Sequence, residues 1–305
     1  MNWLLTIIFA HFLFAVVFLI DKYILVDSVI DPKIYTFYVS LLGIVVLFFI
    51  PFIDFYLPDK EHLFFALFSG ITFVPALFYF NSLLSGFEAS RVVPAVGGTI
   101  PIFIFILGNI FFPEQARLSF GQTVSLFVLI GGSVLISYKL SEENKTKLGM
   151  LKMIVACSLL FALASLSSKY AYINQDFLVM LIWIRLSAFL MSLLFLLDRT
   201  TRNKVLTKTE NAFPRKSKTL FLANQAMGAT GNILFNWVVF VVPVAFIAIV
   251  NALQGLQNVF LFVFAILFSK KFPEIFQEDL SKKTIVQKVF AILLIGSGLA
   301  ILSFQ

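Results

Sequence analysis

Four amide side chains, Asn251, Gln254, Gln257 and Asn258, fall within "NALQGLQNVF" at 251–260, inside an otherwise apolar run. At a helical advance of about 100° per residue, Asn251, Gln254 and Asn258 lie within about 60° of one another, and Gln257 widens the stripe to about 120°. The preceding apolar run carries a matching stripe: Gln225, Asn232 and Asn236 fall within about 40°, with Asn224, Gly228 and Gly231 at its borders. What an amide offers is a donor and an acceptor together, which is recognition chemistry. An amide facing lipid without a partner costs a few kcal/mol, so both stripes must turn towards protein or water. Two readings follow. The amides are glue between helices, at about 0.6 kcal/mol per bond, or they line a wet cavity that binds a solute. Their number on two adjoining stripes exceeds what glue requires and favours the cavity.

Other polar residues stand within apolar runs. His11 shares a face with Ala15 and Lys22, while Ser158, Ala162, Ser165 and Lys169 share a face of a later run. His11 reads as a neutral imidazole bonded to a carbonyl, or as a protonatable coupling group or substrate contact. Arg185, well inside its run, pairs with a substrate anion or acts structurally by capping carbonyls or snorkelling. Pro94 and Pro101, near Gly97 and Gly98, free backbone carbonyls and mark a possible hinge. Every Asp and Glu falls at an end or a joint, Asp21 included, so no buried carboxylate is expected to exchange a proton for a cation. The lone Cys157 excludes an internal disulfide, and no metal site is expected. With no H-E-x-x-H, no G-x-S-x-G and no paired mid-run carboxylates, no catalytic residue, cofactor or enzymatic activity is expected.

The elements that must position these residues are membrane helices. Of the 305 residues 60% are hydrophobic and 13% charged, with a mean hydropathy of +0.98. Ten apolar stretches, at approximately 3–20, 34–53, 62–84, 92–112, 119–138, 148–171, 177–197, 219–241, 244–268 and 285–303, approach the roughly 20 residues needed to cross a bilayer. Continuous runs of this length are helical, not barrel strands. The expected fold is an all-α integral membrane protein of ten transmembrane helices. The first stretch lacks a basic flank and a small-residue cleavage site, so it reads as a retained span.

Nineteen of the 23 Lys and Arg residues fall on the side of the odd-numbered joints, against three on the other side, with Arg185 inside a span. The positive-inside rule puts the basic loops 139–152, 199–218 and 270–288 in the cytoplasm of a multi-pass protein in the cell (inner or plasma) membrane, with both termini outside. The net charge of +7 is thus a topology signal. Contact with anionic membrane lipids is expected, and nucleic acid is not.

Short signatures recur: "DKYIL" at 21–25 with "SKYAY" at 168–172, "FN" at 80–81 and 235–236, "FPE" at 112–114 and 272–274, and "LIGGSVLIS" with "LIGSGLAILS". Each copy covers five spans, 1–140 and 141–305, the second including the basic linker 198–218. Five is odd, so the copies enter the membrane from opposite faces as inverted repeats, an architecture of secondary transporters. On "SRVVPAVGGTIPIFIFILGNIFFPEQARLSFGQ", "WIRLSAFLMSLLF" and the repeated "FPE", the chain resembles the EamA-type transporters of the drug/metabolite transporter superfamily over essentially its whole length. It departs from the family's pattern at Tyr38, Ser125 and Phe290. The resemblance implies that spans one, three, four, six, eight and nine surround a central cavity, which would bring His11, Asn81, Ser158 and Ser165 towards the amides. The expected function is a secondary transporter of a small polar or amphiphilic solute, working by alternating access, as monomer or homodimer, with the coupling ion open. A flippase for a lipid-linked group and a non-transporting scaffold or receptor stand as alternatives.

Overall fold

The computed structural model describes residues 2–27, 31–87, 89–135, 148–206, 215–268 and 282–303. The boundary expected near residue 140 and much of the basic loops 139–152, 199–218 and 270–288 lie outside them. Among the described residues every regular element is a helix. They are α1 (Asn2–Asp27), α2 (Pro32–Leu42, continued by a 3-10 stretch Gly43–Phe52), α3 (Lys60–Gly86), α4 (Ala89–Phe111), α5 (Phe120–Leu135) and α6 (Leu148–Tyr172). Then come α7 (Phe177–Ser192, continued by the 3-10 stretch Leu193–Leu197), α8 (Arg199–Leu206), α9 (Arg215–Val241), α10 (Ile247–Ala252), α11 (Gly255–Phe268) and α12 (Lys282–Ser303). Among the described residues seven helical segments are long and apolar enough to cross a membrane. The apolar parts of α4 and α5, Ala95–Phe111 and Phe120–Leu135, are shorter.

Local chemistry sets the starts of these helices. Asp31 caps α2 by accepting from the Lys33 amide at 2.9 Å, with Pro32 in the first turn, where its missing N–H is not needed. Asp59 caps α3 by accepting from the amides of Glu61 and His62 at 3.1 and 3.0 Å. Between α6 and α7 the chain reverses at Asn174, whose φ of 53° is left-handed, a conformation asparagine tolerates well. Pro243 separates α9 from the turn leading into α10, since it has no N–H to continue a helix.

The run at 244–268 departs from a single straight helix. It breaks at Leu253 and Gln254, between α10 and α11, where the Gln254, Leu256 and Gln257 amides bond three residues back, to the carbonyls of Asn251, Leu253 and Gln254. Ser133 of α5 reaches the Ala252 carbonyl freed there, at 3.5 Å. Gly255 is needed at this crossing, because a Cβ would stand 2.2 Å from Ser133 Oγ. Non-helical backbone at membrane depth survives only where protein or water satisfies it. This span is also the most buried of the seven, 61% of its most apolar window being inside the protein.

Around it α3 packs on α6 and α7, α1 on α9 and α11, α4 on α6 and α10, and α5 on α12. At Gly70 of α3 the backbone of α7 comes close enough that a Cβ would meet the Ile184 carbonyl oxygen and the Ala188 amide. Joints assigned by charge to the same side also meet in space. Lys33 pairs with Asp198 at 3.2 Å, joining the α1–α2 and α7–α8 ends. At the opposite end Tyr56 donates to Gln175 at 2.9 Å, and Tyr170 donates to Gln115 at 2.8 Å.

Candidate functional site

A cavity of about 280 Å³ occupies the middle of the bundle, near the lower end of the 300–1,000 Å³ typical of small-molecule sites. Its wall draws on α1, α3, α4, α6, α7, α9, α10, α11 and the turn at Gln254. Of the residues singled out by sequence, His11, Ser165, Arg185, Asn232, Asn236, Asn251 and Gln254 meet here, and Gln257 joins them.

The amides divide into occupied and open ones. Asn251 donates to the Ile247 carbonyl at 2.9 Å and its oxygen accepts from Ser165 at 3.4 Å. Asn236 donates to the Asn232 side chain at 2.8 Å and accepts from Tyr172 at 3.0 Å. Gln257 reaches the Phe14 carbonyl at 3.5 Å. Gln254 has no such engagement: its amide lies against Gly97, where a Cβ would stand 3.0 Å from its Cδ, and it lines the cavity. The helix break presents this amide, and the bare Gly97 makes room for it.

His11 is 2% exposed. Neither ring nitrogen makes a hydrogen bond of normal geometry, although the Val250 backbone lies alongside. Its ring packs edge-on near Phe14 and Phe235, with centroids 6.1 and 6.3 Å away. The aliphatic stem of Arg185 passes close to Gly43, whose added Cβ would stand 3.6 Å from Arg185 Cδ. Its guanidinium lies over the Phe73 ring at 5.5 Å, with the Tyr172 side chain in the vicinity. Among the described residues no carboxylate pairs with it; the ion pairs there are Lys33 with Asp198 and His62 with Asp59.

Asp21 is the site residue that the sequence reading misses. The apolar count stops at Ile20, yet α1 continues to Asp27 through "YILV", so the carboxylate stands inside the helix and on the cavity wall. The apolar span Trp3–Asp21 ends at this carboxylate, as expected, yet the residue lines the cavity. Tyr35 of α2 donates to Asp21, as does Asn224 of α9, at 2.5 Å. Gln225 donates to the Tyr35 hydroxyl at 3.4 Å. The neighbouring Lys22 side chain lies outside the described residues.

Asp21 and Arg185 occupy opposite ends of the cavity. Asp21 is bonded at the level of Asn224, and Tyr172, beside Arg185, at the level of Asn236. These positions are twelve residues apart on α9, or about 18 Å at 1.5 Å per residue. Among the described residues no ion pair joins the two. Desolvation costs several kcal/mol per ion, so the two charges do not neutralise each other.

Four expected cavity residues have other places. Asn81 is 2% exposed and donates to Thr36 at 3.0 Å, joining α3 to α2. Ser158 donates to the Val96 carbonyl at 3.3 Å, joining α6 to α4. Gln225 serves Tyr35, and Asn258 is buried away from the cavity wall. The break at Gln254 is the reason for Asn258: a wheel drawn at constant phase does not hold across it. α4 runs as one α-helix through positions 94 and 101, with Pro101 buried and the Pro94 side chain outside the described ones.

No family model matches the chain, and no curated protein does. Among solved structures, one recorded only as the crystal structure of a protein superposes with a TM-score of 0.60 at 15% identity. The match covers 96% of this chain and 95% of that one. At that identity the likeness is one of fold, and it extends over both chains nearly end to end.

Proposed function

We propose that the protein is a secondary transporter that moves a small polar or amphiphilic solute through the central cavity by alternating access. The observation that carries this reading is the cavity itself. Gln254, His11 and Arg185 bring polar side chains to the wall of this cavity in an apolar bundle, where an unserved polar group is costly, and the His11 ring nitrogens make no hydrogen bond of normal geometry among the described residues. A solute or water that serves them repays that cost, whereas a scaffold would have closed the space.

Two inverted five-helix repeats account for the packing. If α1 corresponds to α6 and α3 to α9, then the contact of α3 with α6 and that of α1 with α9 are one contact made twice. Likewise α5 and α12, the last helix of each copy, pair with each other. The EamA-type resemblance belongs to the same proposal, as does an orientation with loops 139–152, 199–218 and 270–288 in the cytoplasm of a cell membrane.

The test is flux in liposomes across a panel of neutral, anionic and zwitterionic metabolites, with and without a pH gradient, for wild type, Gln254→Leu and His11→Ala. Transport predicts solute-specific uptake by wild type that falls at least tenfold in Gln254→Leu while the protein stays folded. No flux of any solute, with both variants as stable as wild type, would sink the reading.

A further inference from the structure

We infer that the cavity is an organic-anion site, in which Arg185 binds an oxyanion and the surrounding phenylalanines hold an apolar body. This rests on the cavity being the ligand site proposed above, and it adds the ligand's chemical class.

Arg185 lines the cavity from α7. Its recorded neighbours are the Phe73 ring at 5.5 Å, the Tyr172 side chain and Gly43, none of which carries a negative charge. An intramembrane cation is retained where something pairs with it. The carboxylate in the same cavity, Asp21, makes no ion pair with it and is already served by Tyr35 and Asn224.

A planar guanidinium with free donors is suited to bidentate recognition of a carboxylate or phosphate. The rest of the wall specifies the body of the ligand. Phe14, Phe18, Phe73, Phe80, Phe161 and Phe235 supply an aromatic lining, and Gln254 adds one amide with no other engagement. A volume of about 280 Å³ suits a small organic acid with an aromatic or branched body. A free acid and an anionic lipid share this headgroup chemistry, and added phosphatidylglycerol tells them apart.

The test uses the full-length protein in nanodiscs of phosphatidylcholine. Binding is measured for phenylacetate, cyclohexanecarboxylate and phenyl phosphate, with phenylacetamide as the neutral isostere of the first. The expected result is saturable binding of at least one anion, with phenylacetamide about tenfold or more weaker. Arg185→Gln should weaken the anion about 10- to 100-fold, the range for losing a hydrogen bond to a charged group, and Arg185→Lys should recover part of it. A measurement on wild type guards against a variant that fails to fold: the bound anion should protect Arg185 from phenylglyoxal, read by peptide mass spectrometry, and phenylacetamide should not. Equal binding of acid and amide, no binding of any of the three anions, or unprotected Arg185 would overturn the inference. So would a tenfold loss of anion affinity when phosphatidylglycerol is added to the nanodisc, since lipid would then be the occupant. Arg185-dependent binding without flux in liposomes would leave the anion site standing and remove the transport reading. Flux of neutral solutes without anion binding would do the reverse.

Discussion

The two ends of the cavity each carry one charged side chain, and they treat it differently. At one end Asp21 accepts from Tyr35 and Asn224, with Gln225 donating to Tyr35 behind them, so two helices contribute donors to the carboxylate of a third. At the other end Arg185 has an aromatic face and a glycine for neighbours and no acceptor. A buried charge with its hydrogen bonds made contributes to structure. One left without them is a place for something else to bind. The difference separates the residues that hold α1, α2 and α9 together from those left open to the cavity.

Removing the served charge should have the largest effect. Asp21→Ala leaves the Tyr35 hydroxyl and the Asn224 amide without an acceptor, and stability should fall by about 3 kcal/mol, seen as a lower midpoint in thermal unfolding. Preserved stability would mean that the network does not tie the helices. Removing the unserved charge should give the opposite pattern. Arg185→Gln should leave the midpoint unchanged or raise it, because an uncompensated cation is removed, while anion uptake falls at least tenfold. A destabilised Arg185→Gln protein with normal uptake would erase the contrast between the ends.

A smaller loss is expected from Tyr35→Phe. One of the two donors to Asp21 goes while Asn224 stays, so about 1 kcal/mol should be lost, and the Asp21→Ala/Tyr35→Phe double variant should fall well short of additivity. Additive losses would place the two residues in separate networks.

The smallest effect belongs to the exposed pair outside the membrane. Hydrogen bonds from Thr201, then from Lys33, and from the Thr200 amide hold the Asp198 carboxyl below its ordinary value of 3.8. A depressed carboxyl contributes stability above the unfolded value and loses it as the pH falls through the folded one. Asp198→Asn should therefore differ slightly from wild type at neutral pH and converge with it under strong acid. A gap that widens on acidification would contradict this sign.

Much of this organisation was legible in the sequence, because lipid imposes a simple rule on long apolar runs. The ten stretches fall on helical segments, and the amides of "NALQGLQNVF" reach a cavity through Asn251, Gln254 and Gln257. What failed was phase and partner. The break at Leu253–Gln254 lies in a run whose composition reads as one helix, and its cause is a crossing with Ser133 more than a hundred residues away. Gly255, next to the break, was its local sign. Asp21 was left out of the site because it ends an apolar span, although α1 continues through "YILV" and the carboxylate lines the cavity. Asn81 and Ser158 have types suited to a cavity, but each has its partner on a facing helix, Thr36 and Val96, and one strand of sequence does not show which helices face each other.

Access to the cavity from both sides tests the central claim most directly. Cys157 is the chain's one cysteine, so Cys157→Ala with Ser165→Cys places a single thiol on the cavity wall, and Leu5→Cys, at a position 72% exposed on the bundle surface, serves as the apolar control. Membrane-impermeant thiol reagents would be applied to oriented proteoliposomes from each face in turn. Alternating access predicts that the Ser165→Cys thiol reacts from both faces, at rates that a bound solute changes, while the control reacts from neither. Reaction from one face only, under every condition, would contradict a transporter and leave a one-sided binding pocket.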